Sequence, residues 1–181
     1  MQITPVDDEN NLYRITAVMP DSMVQKVMTT DWLSMPWSRQ EGQEQWHRRR
    51  IQETAIPWIQ EWDNHFDLIW PNIAKQLGRS MMPYVGTAFW VDEPGFICAM
   101  HTDGELPGTL HLNWRGTGTS FYWYKDTYSL RYQTPEQPNA GYIMINQANN
   151  QGYRKLQWHA MLDPVPENSY RLTTYTWISP K

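Results

Sequence analysis

Apolar positions between residues 58 and 77 advance by threes and fours: Trp58, Ile59, Trp62, Phe66, Ile69, Trp70, Ile73 and Leu77, with Gln60, Glu61, Asp63, Asn64 and Lys75 between them. At helical pitch they form one stripe, so the pattern predicts an amphipathic helix that Pro71 can kink and Gly78 can end. A shorter helix is predicted from Met23, Val24, Val27 and Met28, capped by Asp21 or Ser22 and ending at Trp32 and Leu33. Near residue 84 the period changes to two, and β-branched and aromatic residues alternate between Gly, Pro and Asn turns. Strands are expected at 85–91, 96–103, 109–114, 119–125, 128–132, 141–146, 155–161 and 170–178. About eight short strands predict a jelly roll. In the second of them Ile97 and Ala99 take one side while Phe96, Cys98 and Met100 take the other. A strand apolar on both faces needs a cover outside as well as a core inside. The expected fold class is therefore α+β, with a jelly-roll core and the N-terminal helices packed on the outer face of one sheet.

Length and composition narrow the function. A chain of 181 residues, 40% hydrophobic and 19% charged, fits one compact domain. The formal net charge of −4 supplies no basic excess for phosphate binding, so no nucleic-acid partner is expected. The single cysteine, Cys98, cannot close an intrachain disulfide, which points to a reducing, cytoplasmic setting. The first residues have no leader pattern, and no apolar run reaches the roughly 18 residues a membrane helix needs, so no membrane partner is expected. Eleven Trp, ten Tyr and four Phe make 14% of the chain. Such a count could also serve a non-catalytic β-sandwich that binds carbohydrate or peptide on an aromatic platform.

Candidate chemistry comes from the histidines. His47 opens the run His-Arg-Arg-Arg and belongs on a solvated face; Arg48, Arg49 and Arg50 either attract an anion or solvate a helix end, and solvation is the simpler reading. Asp63 and His65 lie two apart on a predicted helix, where such residues do not face each other. On a strand the same spacing puts both side chains on one face, and His101 and Asp103 end a strand just before Gly104. An imidazole and a carboxylate aimed at one point are two arms of the 2-His-1-carboxylate triad that holds non-haem Fe(II). His159 is the better third ligand by strand phasing, and His111 the second choice. Arg171 shares a strand face with Thr173 and Tyr175 in apolar surroundings, with no acid on its own strand. An inward guanidinium calls for an anion, and a dicarboxylate would answer it.

The string FWVDEPGFICAMHTDGELPGTLHLNW, followed by QWHAMLDPVPENSYRLTTYTW, resembles the 2-oxoglutarate and Fe(II)-dependent dioxygenases, prolyl-4-hydroxylase-like branch, over about residues 84–178. Pro94 and Gly95, His101 and Asp103, Leu112 and Asn113, His159, Pro164 and Val165, and Arg171 follow that family's order. Asp92 and Arg171 stand near places where many prolyl hydroxylases carry a tyrosine and a lysine. The resemblance implies a cupin-like double-stranded β-helix, with residues 1–181 as one dioxygenase domain: about 1–80 mostly helical support, about 81–181 the core. It implies Fe(II) on His101, Asp103 and His159, and 2-oxoglutarate held at its far carboxylate by Arg171 with Thr173. Ascorbate is a possible accessory cofactor. It further implies O2 as cosubstrate, succinate and CO2 as products, and hydroxylation of a protein side chain such as proline or of a small amino acid. Tyr122, Trp123, Tyr124, Trp90 and Trp158 are candidate pocket walls, and loops at 34–50, 104–109 and 147–154 are candidate rims.

Overall fold

A computed structural model describes residues 1–7, 12–38, 47–78, 84–103, 107–116, 120–124, 129–146 and 157–178. The elements in chain order are β1 (Gln2–Asp7), β2 (Leu12–Thr16), α1 (Asp21–Thr29), β3 (Trp37–Ser38), β4 (Arg48–Ile51), α2 (Ile59–Gln76), β5 (Tyr84–Asp92), β6 (Cys98–His101), β7 (Gly108–Arg115), β8 (Ser120–Tyr124), β9 (Leu130–Pro135), β10 (Ala140–Ile145), β11 (Trp158–Met161) and β12 (Arg171–Ile178). One sheet has eight strands in the order β1-β2-β10-β7-β12-β5-β4-β3; the other has four, β6-β11-β8-β9. Within the described residues no helix is long and apolar enough to cross a membrane.

Antiparallel register gives the larger sheet two unlike faces. Directly paired residues share a face, so Asp92, Arg171, Thr173, Trp90, Tyr175, Asn113, His111, Ala140 and Tyr142 all lie on one side. Leu172, Thr174, Thr176, Leu110, Leu112, Trp114, Phe89 and Val91 lie on the other. The second set shares one core cluster with Met23 and Val27 of α1 and with Trp62, Phe66, Trp70 and Ile73 of α2. Trp62 meets Phe89 at 4.9 Å and Trp114 at 5.4 Å, edge to face, and Trp32 stacks on Phe89 at 5.5 Å. Trp32 and Trp114 satisfy their indole N–H groups on the Val27 carbonyl and the Thr174 hydroxyl. Pro71 lies within α2 and breaks nothing, because its missing N–H falls on the exposed side. A smaller apolar cluster of Leu12, Phe121, Trp123, Tyr142, Met144 and Met161 joins the two sheets.

The N-terminal region departs from the expectation of mostly helical support. It adds β1 and β2 at one edge of the larger sheet and β3 and β4 at the other. These strands escape the pattern because Gln2–Asp7 mixes Thr, Pro and Asp, while Arg48–Ile51 is nearly all charged. The arginines therefore do not solvate a helix end. They alternate on a strand beside β5, with Arg48 and Arg50 opposite Asp92 and Trp90 on the inner face and Arg49 opposite Val91. His47, just before them, is exposed as expected.

Close approach at one residue locks β7 to β10. A Cβ added to Gly141 would stand 1.8 Å from the His111 carbonyl oxygen and 2.9 Å from the Leu112 Cα, both backbone atoms. Gly141→Ala should therefore destabilise the protein by about 3 kcal/mol or more, as overpacking against an immovable wall does. Urea unfolding monitored by tryptophan fluorescence measures this, and a loss below 1 kcal/mol would mean the two strands can part freely.

Candidate active site

The strand carrying the His-X-Asp pair begins at a tight turn. Glu93 accepts from the Phe96 amide at 3.0 Å across Pro94 and Gly95, and Gly95 takes the left-handed φ of 82° that suits glycine. This turn is tied to the Pro164-Val165 turn by two backbone bonds, Gly95 N–H to the Val165 carbonyl at 2.8 Å and Val165 N–H to the Phe96 carbonyl at 3.1 Å. Beyond that tie, β6 and β11 run antiparallel with His159 directly opposite His101. Asp103 follows two residues after the end of β6. Gly104 lies outside the described residues, as do parts of all three candidate rim loops.

Three donors converge. His101, Asp103 and His159 offer ligand atoms that all lie within 4.8 Å of one another. Asp103 Oδ1 is 3.8 Å from His101 Nε2 and 3.7 Å from His159 Nε2. Each imidazole is tied back by its other nitrogen: His101 Nδ1 donates to the Ala99 carbonyl at 2.8 Å and His159 Nδ1 to the Gln157 carbonyl at 2.9 Å. A carbonyl only accepts, so Nδ1 carries a proton and Nε2 is the nitrogen turned to the cluster, able to offer a lone pair to a metal once it is deprotonated. Thr109 donates to Asp103 Oδ2 at 2.7 Å, leaving Oδ1 turned toward the histidines. His159 Nε2 is buried without a hydrogen-bond partner, a costly state for a polar atom unless a cation meets it. Two imidazoles and one carboxylate, each fixed from behind, suit a divalent iron ion.

Electrostatics separates the two imidazoles. Burial pulls His101 down, but bonding to Cys98, the Ala99 carbonyl and the Asp103 charge outweigh it and push the group up to about 9. Burial dominates at His159 and lowers it, against the opposing pull of Asp103. His111, the second choice for a ligand, stays outside the cluster. It stacks on Tyr175 at 4.6 Å, and burial together with Arg171 and the other two histidines holds it well below the ordinary imidazole range, hence neutral.

Arg171 is buried on the inner face; its own strand carries no acid, as expected, but the neighbouring strand does. Asp92 stands directly opposite on β5 and accepts from Arg171 Nε at 2.9 Å, with both side chains 0% exposed. This partner, 79 positions away in sequence, is out of reach of a reading of β12 alone. Glu136 Oε2 lies 3.6 Å from Arg171 Nη1, yet Nη1 and Nη2 still lack hydrogen bonds, as does the Thr173 hydroxyl. His111 Nε2 and both Asn113 side-chain atoms are likewise buried and unpaired on this face. Guanidinium N–H groups, a hydroxyl and an amide left without partners form a polar recess able to receive a carboxylate. His111, Asn113 and Glu136 line a cavity that, at about 10 Å³, holds one water. Asp92, Glu136 and Thr109 are site residues that the sequence reading did not assign; His111 and Asn113 shared a face there, a signal that went unused.

The candidate wall residues divide. Trp123 shares a face with His159, and Trp90 lies on the inner face. Tyr122, Tyr124 and Trp158 take the opposite face of the smaller sheet, where the Tyr122 hydroxyl donates to Asp163. Phe121 stacks between His159, at 5.7 Å, and Tyr142, at 4.5 Å.

This fold is similar to that of solved 2-oxoglutarate and Fe(II)-dependent oxygenases, prolyl hydroxylases among them. Among solved structures, the chain superposes on the viral collagen prolyl hydroxylase of Paramecium Bursaria Chlorella virus-1, solved with 2-oxoglutarate, with TM-score 0.64 and 13% identity over 96% of this chain and 98% of that one. A Pseudomonas putida prolyl-4-hydroxylase gives 0.62 and 11% over 95% and 94%. The α-ketoglutarate-dependent epimerase SnoN of nogalamycin biosynthesis gives 0.64 and 10% over 94% and 78%. At these identities the likeness establishes the fold, and the epimerase shows that one fold serves more than one reaction. No protein-family profile matches the chain. No curated protein sequence matches it significantly.

Thr109→Val keeps the shape but removes the donor that turns Asp103. Affinity for Mn(II), a redox-inert stand-in for iron, should fall about 10–100-fold in calorimetric titration. Wild-type affinity in this variant would show that the hydroxyl does not orient the carboxylate.

Proposed function

We propose that this protein is an Fe(II)- and 2-oxoglutarate-dependent dioxygenase that hydroxylates a protein side chain, such as proline, or a small amino acid. The observation that carries the reading is the convergence of three donors, each fixed from behind, in a protein that also buries a guanidinium whose Nη atoms make no hydrogen bond. His101, Asp103 and His159 would hold the iron, His101 and His159 through Nε2 and Asp103 through Oδ1. Bound there, the iron supplies the oxidation chemistry that couples conversion of 2-oxoglutarate and O2 into succinate and CO2 to insertion of a hydroxyl group. Arg171 and Thr173 bind the far carboxylate of the cosubstrate, which satisfies donors the fold leaves open. Neutral His111 adds no charge to compete with that carboxylate. Phe121 and Trp123 exclude water beside the triad. Ascorbate enters as an accessory that keeps iron reduced.

The same reading treats residues 1–181 as one dioxygenase domain. Its double-stranded β-helix spans about 81–181, and α1 and α2 form the outer cover of the eight-stranded sheet. The shared core of Trp62, Trp114 and Phe89 supports that arrangement. A cytoplasmic setting rests on the lone Cys98. The carbohydrate- or peptide-binding alternative loses much of its aromatic surface. Among the described residues Trp32, Trp58, Trp62, Trp70 and Trp114 are consumed by the core, while Tyr122, Tyr124 and Trp158 stay half-buried on one face of the smaller sheet.

Addition of Fe(II), 2-oxoglutarate and ascorbate in air should yield succinate slowly even without the prime substrate, and His159→Ala or Arg171→Ala should lose most of it. Under nitrogen, each ligand at 100 times its dissociation constant should stabilise the fold by about 2.7 kcal/mol, or roughly 5–10 °C. Absence of both succinate and any thermal shift removes the dioxygenase reading.

A further inference from the structure

Two arginines, not one, serve the anion recess. Arg48 enters from β4, opposite Asp92, and its Nε lies 2.9 Å from Asp92 Oδ1 while Arg171 Nε bonds Oδ2 of the same carboxylate. One buried carboxylate thus bridges two guanidiniums. Arg48 is held in an aromatic sleeve, 4.5 Å from the Trp90 ring centre, 5.2 Å from Phe96 and 5.3 Å from Tyr175. Burial alone would lower the Arg48 guanidinium, but Asp92 and Tyr175 outweigh burial and shift it upward, so its charge is permanent.

The consequence is a matter of charge balance. Around Arg171 stand two carboxylates, Asp92 on Nε and Glu136 at 3.6 Å. Left to Arg171 alone, Asp92 would neutralise its charge; Arg48 shares that carboxylate and so leaves positive charge for a dianionic 2-oxo acid. It also holds the Asp92 oxygen that Arg171 does not use, as an ion pair and not a hydrogen bond, so Asp92 is drawn between the two guanidiniums. We infer that Arg48 is a positioning residue for cosubstrate recognition: acting through Asp92, it converts Arg171 from one half of an internal ion pair into a receptor for the distal carboxylate. The inference rests on the proposed function and goes beyond it. It assigns the selectivity for a 2-oxo diacid over a 2-oxo monoacid to a residue of the N-terminal strand β4.

The test compares two probes on the Mn(II)-loaded protein by calorimetry: 2-oxoglutarate, and 2-oxobutanoate, which lacks the far carboxylate. The wild type should prefer the diacid strongly. Arg48→Met, which keeps the stem but not the charge, should cut that preference at least tenfold, mainly by weakening the diacid, while 2-oxobutanoate affinity changes less than threefold. Arg48→Lys, which keeps the charge, should retain most of the preference. Where Arg48→Met does not fold, Arg48→Gln carries the same expectation. Equal loss for both acids would mean that Arg48 only supports the fold, and an unchanged preference would mean that it has no hold on Arg171; either overturns the inference. A wild type that binds neither acid is a distinct result, which overturns the functional reading and this inference with it.

Discussion

The antiparallel register of β6 and β11 is the constraint on which the candidate site depends. Side chains alternate along a strand, so a slip of one residue would turn His159 to the opposite face and leave His101 with Asp103 alone. Two turns prevent the slip. Pro94-Gly95 and Pro164-Val165 clasp each other through paired backbone bonds, one turn before β6 and the other after β11. The backbone therefore sets the distance between the imidazoles. Hydrogen bonds from Nδ1 to carbonyls two residues back then set their rotation.

The larger sheet separates two chemistries by its pleat. One face is sealed by aromatic and aliphatic contacts with α1 and α2; the other carries arginine, aspartate, histidine, asparagine and threonine between the sheets. Burial of that second face is tolerable in part because Arg171 answers Asp92. The Arg171 Nη atoms and the Thr173 hydroxyl, which make no hydrogen bond, are the donors that the proposed function assigns to the cosubstrate.

Local signals carried much of this architecture. The 58–77 stripe became Ile59–Gln76 because eighteen residues at one period leave little ambiguity, and all eight expected strands have counterparts within a few residues. His101 and Asp103 were legible because their geometry is local, and His159 because its strand has one clearly apolar face. Asp92 was not legible as the partner of Arg171, since strand pairing across 79 positions leaves no mark in either segment. Nor was the partial burial of Arg48. A run of three arginines looks solvated until strand pairing turns alternate members inward and an aromatic sleeve receives one of them.

The placement of the N-terminal strands at both margins of the larger sheet has a consequence for biosynthesis. A ribosome delivers β2 and β4 well before their neighbours: β2 must wait for β10 at residues 140–145, and β4 for β5 at 84–92. Until then the nascent chain carries unpaired edges and the bare stripe of α2. Such a topology has high contact order, folds late rather than stepwise, and makes the emerging polypeptide a natural client for chaperones.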